Sequence, residues 1–201
     1  PGAPVTLRAT PVMQQTWLAP RLMRFQQMHP EITLRLVSAI WADDFGAEGA
    51  DLEIRYGDGE WNDVTAECLG EERLLPVCSA ALAAELHTPE DLAGRTLLHA
   101  AGFAAGWPRW LAEAGVAGLE HRCQAMICDT HVTTLALASY GGGVALSHRR
   151  LLEASRDLVA PFELDMATDE AFWLVRPSRR QLRPAAAALW EWLSRTRESA
   201  P

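Results

Sequence analysis

Trp17-Leu-Ala-Pro-Arg-Leu-Met-Arg-Phe-Gln-Gln-Met-His-Pro30, continuing into Glu31-Ile-Thr-Leu-Arg-Leu-Val37, is the stretch that decides the fold. Leu18, Leu22, Phe25 and Met28 recur at spacings of four, three and three, which lays an apolar stripe along one face of a helix. Arg21, Arg24 and Gln27 fall off that stripe. Pro30 ends the helix, because its ring bars the α region to His29. Ile32, Leu34 and Leu36 then alternate with Thr33 and Arg35, the period of a strand, and Val5–Ala9 alternates in the same way before the helix. A strand, a helix and a second strand in succession predict an open α/β sheet, whose ligands sit at the carboxyl ends of its strands.

The rest of the chain extends this pattern. Trp41–Gly49 has room for a short helix, Asp51–Arg55 reads as a third strand closed by the turn Tyr56-Gly-Asp-Gly59, and Arg73–Cys78 reads as a fourth. Pro76 makes that fourth strand an edge or crossing strand. From Ser79 the alternation restarts. Ser79 caps an Ala-rich helix, Thr88-Pro89 opens another turn, and Thr96–Ala100, Arg122–Cys128 and Val144–Leu146 are strands. Between them, Pro108–Ala114 is a helix stopped by Gly115, Asp129–Tyr140 is one stopped by Gly141-Gly-Gly143, and Arg149–Ser155 is a third. Leu158–Phe162 and Ala171–Val175 read as further strands. A strong last helix, Pro184–Thr196, carries its stripe on Leu182, Ala186, Leu189 and Leu193. Two α/β lobes with a cleft between them is the economical architecture, and no exact internal repeat is visible.

Composition narrows the function classes. The 201 residues are 49% hydrophobic, enough for a buried core and too apolar for wholesale disorder. A formal net charge of −8 argues against a chain that grips phosphate backbones by itself. Cys68, Cys78, Cys123 and Cys128 form no CxxC pair, and reduced thiols in the cytosol are the expectation. No signal peptide is evident, and no apolar run approaches the ~20 residues of a membrane span, so no membrane partner is expected.

The order of several segments resembles that of one family. Trp17-Leu-Ala-Pro-Arg-Leu22, Phe25, His29-Pro30, Ala47-Glu-Gly-Ala-Asp-Leu-Glu-Ile-Arg-Tyr-Gly57, Leu74-Leu-Pro-Val-Cys-Ser79, Thr88-Pro-Glu-Asp-Leu92 and Tyr140-Gly-Gly-Gly-Val-Ala-Leu146 fall as they do in the effector-binding domain of LysR-type transcriptional regulators. The run from Glu48 to Gly59 followed by Trp61 is most similar to the subgroup holding the glycine-cleavage activator and the β-lactamase regulator. The resemblance covers nearly the whole chain. It implies an α/β fold of two Rossmann-like subdomains with an inter-lobe cleft, like type II periplasmic binding proteins. Subdomain I would be discontinuous, residues 1–78 plus 162–201, and subdomain II would be residues 79–161. It further implies a cytoplasmic homodimer or homotetramer. In an antiparallel dimer, the helix Trp17–Met28 and strand Ile32–Val37 of one copy would pack on the second lobe of its mate. DNA would be bound only through an N-terminal winged helix-turn-helix that this chain does not contain.

The same resemblance places a small-molecule effector in the cleft, against the start of the first helix (Pro11, Val12, Met13, Gln14), the loop after the third strand (Arg55, Tyr56) and the start of the helix after Cys128 (Asp129, Thr130, His131). Helix N-terminal amides favour a carboxylate or phosphate there. Arg55 either forks onto a ligand carboxylate or pairs with an acid such as Asp58. Thr130 either donates to ligand or caps its helix; Asp129 caps or braces it; His131 is either a donor at the rim or a surface histidine. His99 and Trp107 contribute to the wall. Where the subgroup often has Ser or Thr in the first helix and Tyr late in the pocket, this chain has Val12 and Phe172. Both changes remove a hydroxyl, which argues against a cell-wall peptide and for a smaller or more apolar effector, with aromatic ones among the options.

Nothing in the sequence composes a catalytic site. Cys128-Asp-Thr-His131 matches no nucleophile signature, and Asp43–Asp44 and Glu71–Glu72 fit neither a metal nor an acid–base pair. No cofactor and no metal are expected. A stand-alone solute-binding protein of a transporter, with the same fold and cleft, is the rival reading.

Overall fold

The structure is a computed structural model and describes residues 2–41, 44–46, 49–101, 106–153 and 155–196. The chain divides into two units, one made of the residues up to Glu72 with those from Asp169 onward, the other of Arg73–Thr168.

The first unit is built on a five-stranded sheet ordered β2-β1-β3-β10-β4. Here β1 is Val5–Ala9, β2 Leu34–Ser38, β3 Leu52–Gly57, β4 Val64–Cys68 and β10 Ala171–Pro177. β1 runs parallel to both β2 and β3, while β10 is antiparallel to β3 and β4. All five residues of β1 are buried, as its central position requires. A helical segment returns the chain from β1 to β2. It starts as α1 (Pro11–Met13), widens into a π-helical turn (Gln14–Leu18) and continues as α2 (Ala19–Met28). The wide turn has a local cause. Pro20 has no N–H and its ring would strike the Thr16 carbonyl of a regular α-helix. Opening the turn, so that the Ala19 N–H reaches back to Gln14 O, relieves this.

Leu18, Leu22 and Phe25 are buried as the stripe requires, but Met28 is 53% exposed and Arg21 is buried in its place. The Arg21 guanidinium lies 4.3 Å from the Trp17 ring centroid, and donates to Trp17 O at 3.0 Å and Thr196 O at 3.2 Å. The last helix, α7 (Pro184–Thr196), closes the same side of the unit, its Trp192 Nε1 donating to Arg21 O at 3.2 Å.

The second unit repeats this topology without repeating the sequence. Its sheet is ordered β7-β6-β8-β5-β9, with β5 Arg73–Val77, β6 Thr96–Ala100, β7 Gln124–Cys128, β8 Val144–His148 and β9 Met166–Ala167. Again a central strand, β6, is parallel to both neighbours, and an antiparallel strand, β5, adds beyond them. Pro76 falls between the β9 ladder and an isolated bridge from Cys78 to Val159, so its lost donor interrupts no continuous pairing on that side. The helices are α3 (Ala80–Ala83), α4 (Trp107–Glu113), α5 (His131–Ser139) and α6 (Arg149–Glu153). The core includes Trp107 and Trp110, edge to face at 5.9 Å, with Phe162 stacked on Trp110 at 5.8 Å.

Several expectations need adjusting. β5 is laddered to β8, and the chain through Thr168 stays with the second sheet, so the observed division falls at 72/73 and 168/169, where residues 78/79 and 161/162 were expected. Among the described residues, Leu158–Phe162 makes a single bridge, at Val159. β4 is a strand that the pattern did not announce. The helix expected over Trp41–Gly49 falls partly outside the described residues, as does Asp43; α6 is described to Glu153.

Candidate functional site

In the first unit, the helix start after β1 carries Pro11, Val12, Met13 and Gln14. Thr10 occupies the cap position with extended backbone, Pro11 is the first helical residue, and the side chain of Thr10 makes no capping bond. Val12 and Met13 are buried. Gln14 is a brace between strands: its amide nitrogen donates to Ala9 O at 3.1 Å and Val37 O at 2.9 Å.

Strand alternation separates the two neighbouring candidates Arg55 and Tyr56. Tyr56 pairs across the ladder with Phe172, their rings 4.9 Å apart, and Phe172 is buried. Arg55 lies on the opposite face, where β3 also presents Glu53. The partner of Arg55 is Glu53 and not Asp58: Arg55 Nε donates to Glu53 Oε2 at 2.7 Å, while Asp58 accepts from the Glu60 amide at 2.9 Å. Arg8 Nη1 donates to Glu53 Oε1 at 2.7 Å, so one carboxylate serves two guanidiniums. The Gly46 amide adds a bond at 3.1 Å. Trp61 lies under Arg55 at 5.3 Å and meets Trp173 edge to face. Gly59 lets the turn come this close: its φ is +87°, and a Cβ there would lie 2.5 Å from the Trp173 ring.

In the second unit, Thr130 caps α5, its Oγ1 accepting from the Thr133 N–H at 3.3 Å, and Asp129 beside it is exposed. His131 is neither a rim donor nor a surface residue. It is buried, with Nε2 3.1 Å from Leu146 O and its ring 6.0 Å from that of His148, also buried. Burial, aided by the neighbouring His148 and opposed by the Leu146 carbonyl, pushes its pKa down to about 3, so the ring is neutral and Nε2 holds the proton. His99 and Trp107 line a cavity of about 90 Å³ with Leu74, Leu98 and Leu146. Trp107 Nε1 donates to Leu98 O at 3.1 Å, and burial lowers the His99 pKa.

All four cysteines are free thiols, and burial raises Cys78 to about 11, far from a thiolate nucleophile. Among the described residues no group of three or more His, Cys, Asp or Glu is placed to hold a metal ion. Among the described residues no helix is long and apolar enough to cross a membrane. Sequence reasoning missed Arg8, Glu53 and His148. Glu53 carried a readable signal, since it stands two residues before Arg55 on one strand and so shares its face.

Comparison with known proteins fits this geometry. The LysR substrate binding domain family matches residues 1–198. The HTH-type transcriptional activator AmpR of Pseudomonas aeruginosa is 35% identical over 192 residues, 94% of this chain and 64% of that protein. The glycine cleavage system transcriptional activator of Escherichia coli K12 is 34% identical over 196 residues, 94% of this chain and 63% of that protein. This chain thus spans less than two thirds of the length of these relatives. The crystal structure of the effector domain of AmpR from Pseudomonas aeruginosa superposes with a TM-score of 0.84 at 34% identity, covering 97% of this chain and 96% of that one. The fold is therefore the mixed α/β, type II periplasmic-binding-protein-like fold of these effector domains, and both named relatives are transcriptional activators, not transporter components. This chain belongs to the LysR substrate binding domain family.

Proposed function

We propose that this chain is the effector-sensing part of a cytoplasmic, non-catalytic transcriptional regulator, which binds a small metabolite and biases a DNA-binding domain elsewhere in the full-length protein. The observation that carries this reading is the match of nearly the whole chain to an effector domain of a transcriptional regulator, in sequence and in fold. In the first unit the effector-facing candidates are Pro11, Val12, Met13, Tyr56 and Phe172; in the second they are His99, Trp107, Asp129 and Thr130. Val12 and the Tyr56–Phe172 pair favour an apolar, aromatic effector over a hydroxyl-rich one. Gln14, His131 and Arg55 are set apart from this group, because Gln14 Nε2 and His131 Nε2 meet backbone carbonyls and Arg55 closes on Glu53, across the strand from Tyr56.

A thermal-shift screen of aromatic acids, amino acids and cell-wall fragments tests the reading. At a hundredfold excess over Kd a bound effector stabilises by about 2.7 kcal/mol, roughly 5–10 °C for a chain of this size. Tyr56→Ala should abolish the shift. A shift given by cell-wall fragments alone would overturn the aromatic preference, and an undiminished shift in Tyr56→Ala would remove that residue from the site.

The oligomer is also a proposal. Met23, Met28 and Leu36 are exposed on α2 and on the edge strand β2, and Met126 and Ile127 on the edge strand β7. Open edges with apolar side chains are surfaces that proteins cover. We assign them to a homodimer, to be checked by sedimentation: Leu36→Lys and Ile127→Lys should each yield monomers. The isolated chain should not shift duplex DNA at physiological salt.

A further inference from the structure

We propose that the second unit holds an apolar niche beside His99, at the carboxyl end of β6, which takes a neutral alkyl group of about four carbon atoms bearing one hydroxyl. Its cavity, about 90 Å³, is lined by residues of the second unit. Calling this group part of the effector rests on the function proposed above; the niche itself does not.

The sheet explains why a niche exists there. β6 stays paired with β7 as far as Ala100, but its ladder with β8 ends where Leu98 meets Ala145. Beyond that pair, His99 and Ala100 border the cavity. Leu97 packs with Leu74, Leu146 and Trp107, whereas Leu98 packs with Leu75 and Val77, so strand alternation turns the Leu98 side chain to the other face. The side chains left to form the wall beside His99 are apolar: Leu74, Leu146 and the Trp107 ring. Trp107 brings no free donor, because Nε1 is spent on Leu98 O at 3.1 Å, and its ring is fixed edge to face against Trp110.

Two observations select the occupant. The first is charge. No Asp, Glu, Lys or Arg lines the cavity. His99 is half-buried, burial alone lowers its pKa, and among the described residues its ring nitrogens have no hydrogen-bond partner. The ring is therefore neutral at pH 7 and offers one donor and one acceptor, which a hydroxyl satisfies. An ion would shed its water there with no counter-ion to meet it. The second is size. An apolar cavity of about 150 Å³ holds benzene, so one of about 90 Å³ holds a group of roughly four heavy atoms.

Isobutanol, its charged counterparts isobutylammonium and isobutyrate, benzyl alcohol and xenon are the probes. The indole N–H resonance of Trp107 is the reporter, read in ¹⁵N-labelled protein at a pH where His99 is neutral and at constant ionic strength. Isobutanol should shift it saturably, and each ion should bind at least about tenfold more weakly. His99→Phe should weaken isobutanol about three- to tenfold and leave xenon within about twofold of the parent. Leu146→Ala widens the niche, so benzyl alcohol should bind at least about tenfold more tightly to it than to the parent. An isobutanol shift that does not saturate, either ion bound within about twofold of the alcohol, or isobutanol undiminished in His99→Phe would each overturn the proposal. Benzyl alcohol bound no better by Leu146→Ala would overturn it too, whatever His99→Phe shows. Saturable isobutanol binding in a protein that no compound of the thermal-shift screen stabilises would leave the niche standing and remove the effector reading; the reverse outcome would strike the niche alone.

Discussion

The two units share one strand order but bury ionisable groups by opposite means. In the first, Arg8 and Arg55 keep their charge by closing on Glu53, and Arg21 keeps its charge on the Trp17 ring and two carbonyls. In the second, His131 and His148 lie buried with rings 6.0 Å apart, and His131 gives up its charge. Topology therefore does not dictate how a sheet handles buried polarity; pairing and neutralisation are alternative solutions to the same desolvation cost. The sharpest way to break this comparison is to remove the shared carboxylate. Glu53→Leu removes the carboxylate that the two guanidiniums share, and should cost about 3–5 kcal/mol. Urea unfolding followed by tryptophan fluorescence measures it, and a cost under about 1 kcal/mol would mean that water reaches both arginines. Arg55→Gln leaves the Arg8–Glu53 pair intact and should cost less than Glu53→Leu by the same measurement.

Acid should separate the units next. His131 has a folded-state pKa near 3 against an ordinary value of 6.5. The unfolded chain therefore takes up a proton that the folded chain refuses between those limits. Stability is full above pH 6.5 and is lost as pH falls from 6.5 toward 3. At pH 5 the loss is about 2 kcal/mol from this residue. His131→Leu should flatten the fall between pH 7 and pH 5, at the cost of the hydrogen bond to Leu146 O. Equal slopes in the parent and the variant, in unfolding measured across that range, would show that some other group carries the acid response.

What could be read from the sequence follows the same division between local and distant causes. β1, the helix ending before Pro30, α7, and the caps at Ser79 and Thr88 were legible because their signals lie within a few residues. β4 was not. Val64-Thr-Ala-Glu-Cys68 alternates, but over five residues built on small or weakly apolar side chains, all of them half-buried, and its strand is fixed by pairing with β10, over a hundred residues away. Leu158–Phe162 has strand-like composition and no ladder to join beyond Val159. At the candidate site, the helix starts and the β3 loop were placed correctly in the chain, but the roles of single residues were harder to read. His131 looked exposed because a first-turn histidine usually is; the carbonyl that buries it, Leu146 O, belongs to the next strand.

The smallest test sharpens the comparison at the two helix starts. α5 in the second unit is capped by Thr130, while the helical segment of the first unit follows Thr10, whose side chain caps nothing and whose Oγ1 is buried without a hydrogen-bond partner. The same residue type thus does different work at equivalent places. Thr130→Ala removes a side-chain acceptor from the Thr133 amide and should cost about 1 kcal/mol in ligand-free protein. Thr10→Val removes a hydroxyl that is already unsatisfied and keeps the branched shape, so it should change stability by less than about 0.5 kcal/mol, in either direction. If Thr10→Val proves as costly as Thr130→Ala, the hydroxyl of Thr10 is holding water or backbone in solution, and the first unit's helix start is capped after all.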